Sequence, residues 1–329
     1  MPISWEPFVE VIRRHRHILL TTHVRPDGDG LGSMRGLAET LEQQGKQVRM
    51  VVASNYPARY QFLNADGRIE RFTLPGDSWQ QTEAVVVMDT GTRNQLGDFA
   101  AFMDGLSVDK VVIDHHRTQD DLRALTLVDT SAEATGRLAY EAIRALGGRP
   151  TPSAADALFT ALAMDTGWFR HSNATPKTFA LAAELVEAGA RPEILYDLLF
   201  EQNSLPRLKL MGAVLERIRT DCDGKVAYTE LRVQDYVATG ALPSDSEDLV
   251  NFTRSVTGVE VGLFFMEQPR GGVKVSFRSR ARVDVERVAK QFGGGGHRLA
   301  SGATLETSLD VAQERVLAAV RDAVREINA

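Results

Sequence analysis

Short apolar runs rich in Val, Ile and Leu recur through the first part of the chain, at residues 17–22, 47–53, 84–88, 110–113 and 125–128. They lack clean alternation, the texture of strands buried on both faces of a parallel sheet. Between them the apolar positions fall at helical spacing over residues 5–16, 33–44, 131–146, 153–164 and 179–188. The order helix, strand, helix, strand predicts a doubly wound, mainly parallel α/β domain over residues 1–190. Apolar spacing then continues from 194 to 218, with a charged helix at 207–219, so 191–221 reads as a helical linker. Beyond it, strands are expected at 225–232, 259–266 and 273–278, and helices at 283–292 and 309–327. A smaller C-terminal α/β domain over 222–329 follows.

Polar residues of one chemical kind gather where the apolar runs stop. The first run leads into His23-Val24-Arg25-Pro26-Asp27-Gly28-Asp29-Gly30, the third into Asp89, and the fourth into Asp114-His115-His116. Ligands in doubly wound sheets collect beyond the carboxyl ends of the strands, so these positions agree with one another. His23, Asp27 and Asp29 read as three ligands on a sharply kinked loop, before a helix starting near Ser33 whose free amides could face a phosphate. The same loop fails as a calcium loop, because Leu31 takes the third ligand position and no Glu closes it. It also fails as a dinucleotide fingerprint, because Ser33 replaces the last glycine.

Asp89 follows an almost wholly apolar strand and is placed to bridge two cations. Consecutive histidines on a strand would point to opposite sides, so one of His115 and His116 could bind metal while the other meets substrate. Asp114 could then hold the ligand imidazole through its second nitrogen. Asp165 ends the helix 153–164, where a negative charge opposes the helix dipole and a nearby cation would relieve it. His171 fits a surface or substrate-contacting role better than a ligand role. Near the other end, Ser276-Phe277-Arg278-Ser279-Arg280 and Gly293-Gly294-Gly295-Gly296-His297 resemble an anion-binding surface, with Arg forks and unobstructed glycine amides. Together the acidic and imidazole groups suffice for two divalent cations, an arrangement used to hydrolyse phosphate esters.

Composition narrows the picture. In 329 residues, 43% are hydrophobic and 25% charged, ordinary for a globular chain of two domains. The formal charge of −6 argues against tight binding along a long duplex, where many cations supply the affinity. Apolar runs are strand-sized, so no membrane partner is expected. Cys222 stands alone, and no secretory leader is evident, which fits a reducing cytoplasm.

The ordered series His23-x-x-Pro26-Asp27-Gly28-Asp29, Asp89, Asp114-His115-His116 and Asp165 resembles the DHH phosphoesterase superfamily. Ser276-Phe277-Arg278-Ser279, Phe292 through His297 and Ala300-Ser301-Gly302-Ala303 are similar to its associated C-terminal domain, with Ser301 where Ala is usual. Length and layout resemble the nanoRNase branch, which degrades very short oligoribonucleotides and removes the 3′-phosphate from 3′-phosphoadenosine 5′-phosphate. The resemblance implies that His23, Asp27 and Asp89 hold one metal and that Asp29, Asp89, His115 and Asp165 hold the other. It also implies that His116 contacts the scissile phosphate, with Asp114 supporting it, and that Arg278, Ser279, Arg280, Gly294, Gly295, Gly296 and His297 bind substrate across an interdomain cleft. Two imidazole ligands and the family precedent favour Mn²⁺. Short single-stranded RNA or a nucleotide is the expected partner, and a homodimer stays open. Two other readings stand beside this one: hydrolysis of linear or cyclic dinucleotide signals, and non-catalytic nucleotide binding.

Overall fold

The structure, a computed structural model, describes residues 3–73 and 81–327. The chain divides into two compact units, Met1–Gln202 and Asn203–Ala329. In the first, six strands form one parallel sheet: β1 His17–Thr22, β2 Gln47–Val52, β3 Ile69–Arg71, β4 Ala84–Met88, β5 Asp109–Asp114 and β6 Leu125–Val128. Their order is β3-β2-β1-β4-β5-β6, so the direction of winding reverses between β1 and β4. At that reversal the connecting loops diverge and leave a crevice at the carboxyl ends.

Among the described residues this unit has seven α-helices: α1 Glu6–Arg14, α2 Gly28–Gln43, α3 Phe99–Gly105, α4 Thr135–Ala145, α5 Pro152–Asp165, α6 Pro176–Glu187 and α7 Pro192–Tyr196. Side chains alternate across the sheet, as strand geometry requires. Ile18, Leu20, Val86 and Ile113 enter the larger core with α1, α2, α4 and α5. Leu19, Val51, Val85, Val87 and Val112 pack with Phe99 and Met103 of α3 and with Leu96 just before it. Both faces are dry, which accounts for the unalternating apolar runs.

The acidic motif forms a helix rather than a kinked loop, and α2 starts at Gly28 instead of near Ser33. Asp27 caps it, its side chain accepting from the amides of Asp29 and Gly30. Those amides are therefore satisfied within the protein, and the expectation that they face a phosphate is corrected. Close packing explains the glycines. A Cβ at Gly30 would lie 2.3 Å from Thr22 Oγ1, and one at Gly32 would lie 2.3 Å from the Ala157 carbonyl of α5.

The second unit contains α8 Leu205–Glu216, β7 Arg219–Asp221, β8 Val226–Leu231, α9 Val233–Thr239, α10 Val250–Ser255, β9 Val261–Glu267 and β10 Val273–Ser279. It continues with α11 Val285–Lys290, β11 Gly295–His297, β12 Ala300–Leu305 and α12 Leu309–Glu326. The mixed sheet runs β11-β12-β10-β9-β8-β7, with β8 and β9 parallel and the other neighbours antiparallel. Val275, Phe277 and Leu263 pack with α11 and α12, while Phe264 and Met266 pack on the other face with α8 and α10.

Residues 191–221 are not a separate connecting element. Leu195 and Leu199 are buried in the first unit, and Leu210 and Val214 in the second. An amphipathic pattern reports that a face is buried, not which body buries it. Among the described residues, no helix is long and apolar enough to cross a membrane.

Candidate metal centre and second-unit surface

His23, Asp89, His115 and His116 all stand on the loops that leave β1, β4 and β5 at the winding reversal. Asp27 and Asp29 come from the start of α2, and Asp165 is the last residue of α5. These side chains form three interlocking groups: His23 with Asp27 and Asp89, Asp29 with His115 and Asp165, and Asp89 with His115 and His116. Within each group the ligating atoms lie within 4.8 Å of one another.

Asp89 links the groups. Its Oδ2 is 3.4 Å from His23 Nε2, and its Oδ1 is 3.6 Å from His115 Nε2, so the two oxygens face different imidazoles. The residue is 3% exposed and adopts a left-handed backbone conformation with φ 63°. Such strain in a non-glycine residue persists only where the surroundings enforce it. The Thr135 hydroxyl donates to Asp89 Oδ1 at 2.9 Å, and the Asp89 amide donates to the Ile113 carbonyl.

Both candidate ligand histidines are oriented alike. The Nδ1 of His23 donates to the Val24 carbonyl at 2.9 Å, and that of His115 to the Ala132 carbonyl at 3.1 Å. A carbonyl can only accept, so each Nε2 turns a lone pair toward the carboxylates when the ring is neutral. Asp114 does not hold the His115 imidazole, the pairing expected from the sequence. It accepts instead from His116 Nδ1 at 2.8 Å. The opposite-face argument for the histidines also fails, because β5 ends at Asp114 and both rings lie beyond the pleat, 4.7 Å apart.

The electrostatics describe a cluster short of positive charge. Burial, followed by the charges of Asp89, Asp165 and Asp27, pushes Asp29 well above the usual carboxylate range. Burial likewise pushes Asp165 up to about 6, with His115 opposing the rise and Asp89 adding to it. Burial disfavours charge on His23, yet the nearby Asp27 and Asp89 carboxylates prevail and raise it to about 10. Four carboxylates and two correctly turned imidazoles fit divalent cations, which would replace the imidazolium proton and relieve the crowding.

Supports that sequence reasoning missed come from the start of α4. The Thr135 and Gly136 amides donate to Asp29 at 2.7 and 2.8 Å, and Ser33 Oγ donates to the same carboxylate at 3.1 Å. A Thr-Gly pair at a helix start was the available signal, but periodicity had placed that start at residue 131 rather than Thr135. His171 is exposed and belongs to none of the three groups.

The second unit distributes its candidates differently. Arg278 lies on the α10 side of β10, where burial lowers its pKa against the pull of Asp248. Ser279 points to the opposite face and is fully buried, its hydroxyl donating to Glu260 Oε1 at 3.1 Å. Its expected contact with substrate is corrected on that ground. Arg280 donates to the Arg254 carbonyl, and His297 is exposed. The glycines are not an open cradle. Gly293 and Gly294 donate their amides to Lys290 and Ala289 at the end of α11, and Gly295–His297 pairs with β12. A Cβ at Gly294 would lie 2.2 Å from the Gly302 carbonyl, so close approach accounts for that glycine.

A parallel sheet with an acidic, imidazole-bearing centre at its winding reversal and a smaller mixed-sheet unit together define a two-part class of protein. Residues 17–163 match the family described as "DHH family, N-terminal domain", and residues 223–327 match the "DHHA1 domain". The chain belongs to the DHH family. It is 35% identical over 309 residues to a "Bifunctional oligoribonuclease and PAP phosphatase NrnA" of Thermus thermophilus, covering 93% of this chain and 89% of that protein. In fold it is similar to an exopolyphosphatase-related protein from Bacteroides fragilis, with TM-score 0.88 and 24% identity over 98% of this chain and 97% of that one. Thermus thermophilus RecJ in complex with Mn²⁺ shares the fold at TM-score 0.53 and 15% identity, covering 99% of this chain and 55% of that one.

Proposed function

We propose that this protein hydrolyses very short oligoribonucleotides to mononucleotides and converts 3′-phosphoadenosine 5′-phosphate to AMP and phosphate. The observation that carries the reading is Asp89, whose two oxygens face two imidazoles inside a buried acidic cluster. The extended similarity to a protein bearing both activities in its name supports the choice of substrates. His23, Asp27 and Asp89 would hold one divalent cation, and Asp29, Asp89, His115 and Asp165 the other. Such a pair, when bound, stabilises charge on phosphoryl oxygens and makes water a stronger nucleophile near neutral pH. The two imidazoles favour Mn²⁺ over Mg²⁺, which prefers an all-oxygen environment.

The chain's own groups perform the remaining tasks. His116 is 56% exposed at its side chain, and its Nδ1 is engaged by Asp114, so Nε2 is the nitrogen available to substrate. Hydrogen bonding to Asp114 raises its pKa to about 9 against the effect of burial, and the ring is placed to donate a proton to the leaving oxygen. Asp114 itself is held below the usual range, because its donors, His116 first, outweigh burial. Arg278, Arg280 and His297 supply positive and hydrogen-bonding groups suited to a terminal phosphate or base. The lone thiol of Cys222 suits a reducing compartment such as the cytoplasm.

The test is turnover in Mn²⁺ of a dinucleotide, a five-nucleotide RNA, single-stranded DNA, a cyclic dinucleotide and 3′-phosphoadenosine 5′-phosphate. Fastest turnover of the short RNAs, together with release of phosphate from the bisphosphate, is expected. Exclusive hydrolysis of the cyclic dinucleotide, or no hydrolysis at all, would contradict the proposal.

A further inference from the structure

Asp114 is fully buried at the end of β5, and one of its oxygens is crowded with donors. Oδ1 accepts from the His115 amide at 2.8 Å, the His116 amide at 3.1 Å and His116 Nδ1 at 2.8 Å. Oδ2 is held by a different residue, Gln119, whose Nε2 donates at 2.6 Å. The same amide nitrogen donates to the His116 carbonyl at 3.0 Å. Gln119 therefore grips both the carboxylate that holds the His116 ring and the backbone that carries it.

Its own position is fixed from the other side. Gly91 and Gln119 form a parallel bridge, and a Cβ at Gly91 would fall 1.6 Å from Gln119 Oε1. The glycine is needed there because the Gln119 side-chain amide occupies the space a Cβ would take. Asp120 continues the stitch, its amide donating to the Gly91 carbonyl at 2.8 Å while its carboxylate accepts from the Arg93 amide at 2.8 Å. The loop after β4, which begins with Asp89, is thus tied to the loop after β5, which begins with His115 and His116.

We propose that Gln119 is a positioning residue for hydrolysis: it orients Asp114 and, through it, the His116 imidazole toward the leaving oxygen. The inference rests on the role given above to His116. A side chain that merely closed the loop would need no donor on Oδ2, and its loss would not depend on whether His116 is present. With a donor on each oxygen the carboxylate cannot rotate, and the Nδ1 contact keeps a single ring direction.

A double-mutant cycle on the full chain separates the two roles. Gln119→Met keeps the volume and removes the donors; Gln119→Glu keeps the shape and sets a second carboxylate against Asp114. Single-turnover rates with a dinucleotide and saturating Mn²⁺ are measured for wild type, each Gln119 variant, His116→Ala and the double variants. General acid catalysis contributes about 100-fold or more, so partial misorientation should cost about tenfold in rate, with KM and Mn²⁺ affinity unchanged. In the His116→Ala background the Gln119 substitutions should cost less than about twofold. Equal losses in both backgrounds, no loss in either, or a loss confined to KM or metal affinity would overturn the inference. A His116→Ala enzyme as fast as wild type would contradict the proton-donor reading itself, and the Gln119 role with it. A slow His116→Ala with independent Gln119 effects removes only the latter.

Discussion

In the first unit seven polar residues separated by up to 142 positions, from His23 to Asp165, meet at one sheet end; in the second, neighbours in sequence part company. Arg278 and Ser279 are adjacent, yet one lies on the α10 side of β10 and the other is sealed on the α11 side with Glu260. The difference is one of backbone geometry. Loops leaving adjacent parallel strands at a winding reversal border a common crevice, whereas a strand sends successive side chains to opposite faces. A motif read as a string is therefore dependable at loop ends and misleading within a strand.

The comparison breaks most sharply at Asp89. Replacing it with Ala should lower turnover by about a thousandfold or more while circular dichroism stays native, because the loss removes the carboxylate that faces both His23 and His115 and relieves crowding around Asp29. Thr135→Val should retain the helix and lower metal affinity about 10- to 100-fold, as expected for loss of a ligand's hydrogen-bond donor, readable by calorimetric titration. On the second unit, Arg278→Ala should raise KM about tenfold, the cost of one charge-assisted contact, whereas Ser279→Ala should leave KM unchanged. Equal effects of these two substitutions would show that the pleat does not separate them.

A smaller and purely structural effect is expected at Glu260. Its Oε1 accepts from Ser279 Oγ and from the amides of Ala281, Arg282 and Val283. Burial raises its pKa, but these donors prevail and hold it below the ordinary range. A depressed carboxylate contributes fully above its unfolded pKa and loses that contribution as pH falls through the folded value. Glu260→Gln should cost about 1–3 kcal/mol locally, seen as faster hydrogen exchange of amides 281–283, and the protection difference from wild type should shrink on acidification.

Much of the first unit was legible because its signals are local. Buried parallel strands announce themselves as apolar runs, and Asp89, Asp114 and Asp165 each stand where a run or helix stops. What escaped was pairing at a distance. Thr135 holds Asp89 from 46 positions away, and no spacing rule points to it. The start of α2 was misplaced because Gly28 and Gly30 read as breakers, although Asp27 caps the helix and the missing Cβ atoms admit Thr22 and α5. In the second unit the glycine run read as a phosphate cradle; its first two amides close α11, and the rest belong to a hairpin with β12. Ser301 donates to the His297 carbonyl at 2.7 Å within that hairpin.

The central claim is a two-cation centre joined by Asp89, and calorimetric titration of the metal-free protein with Mn²⁺ tests it directly. Wild type should bind two ions per chain, and Asp89→Ala should lose high-affinity binding at both positions while Arg278→Ala keeps both. A single ion bound by wild type, or two ions bound undiminished by Asp89→Ala, would contradict the account.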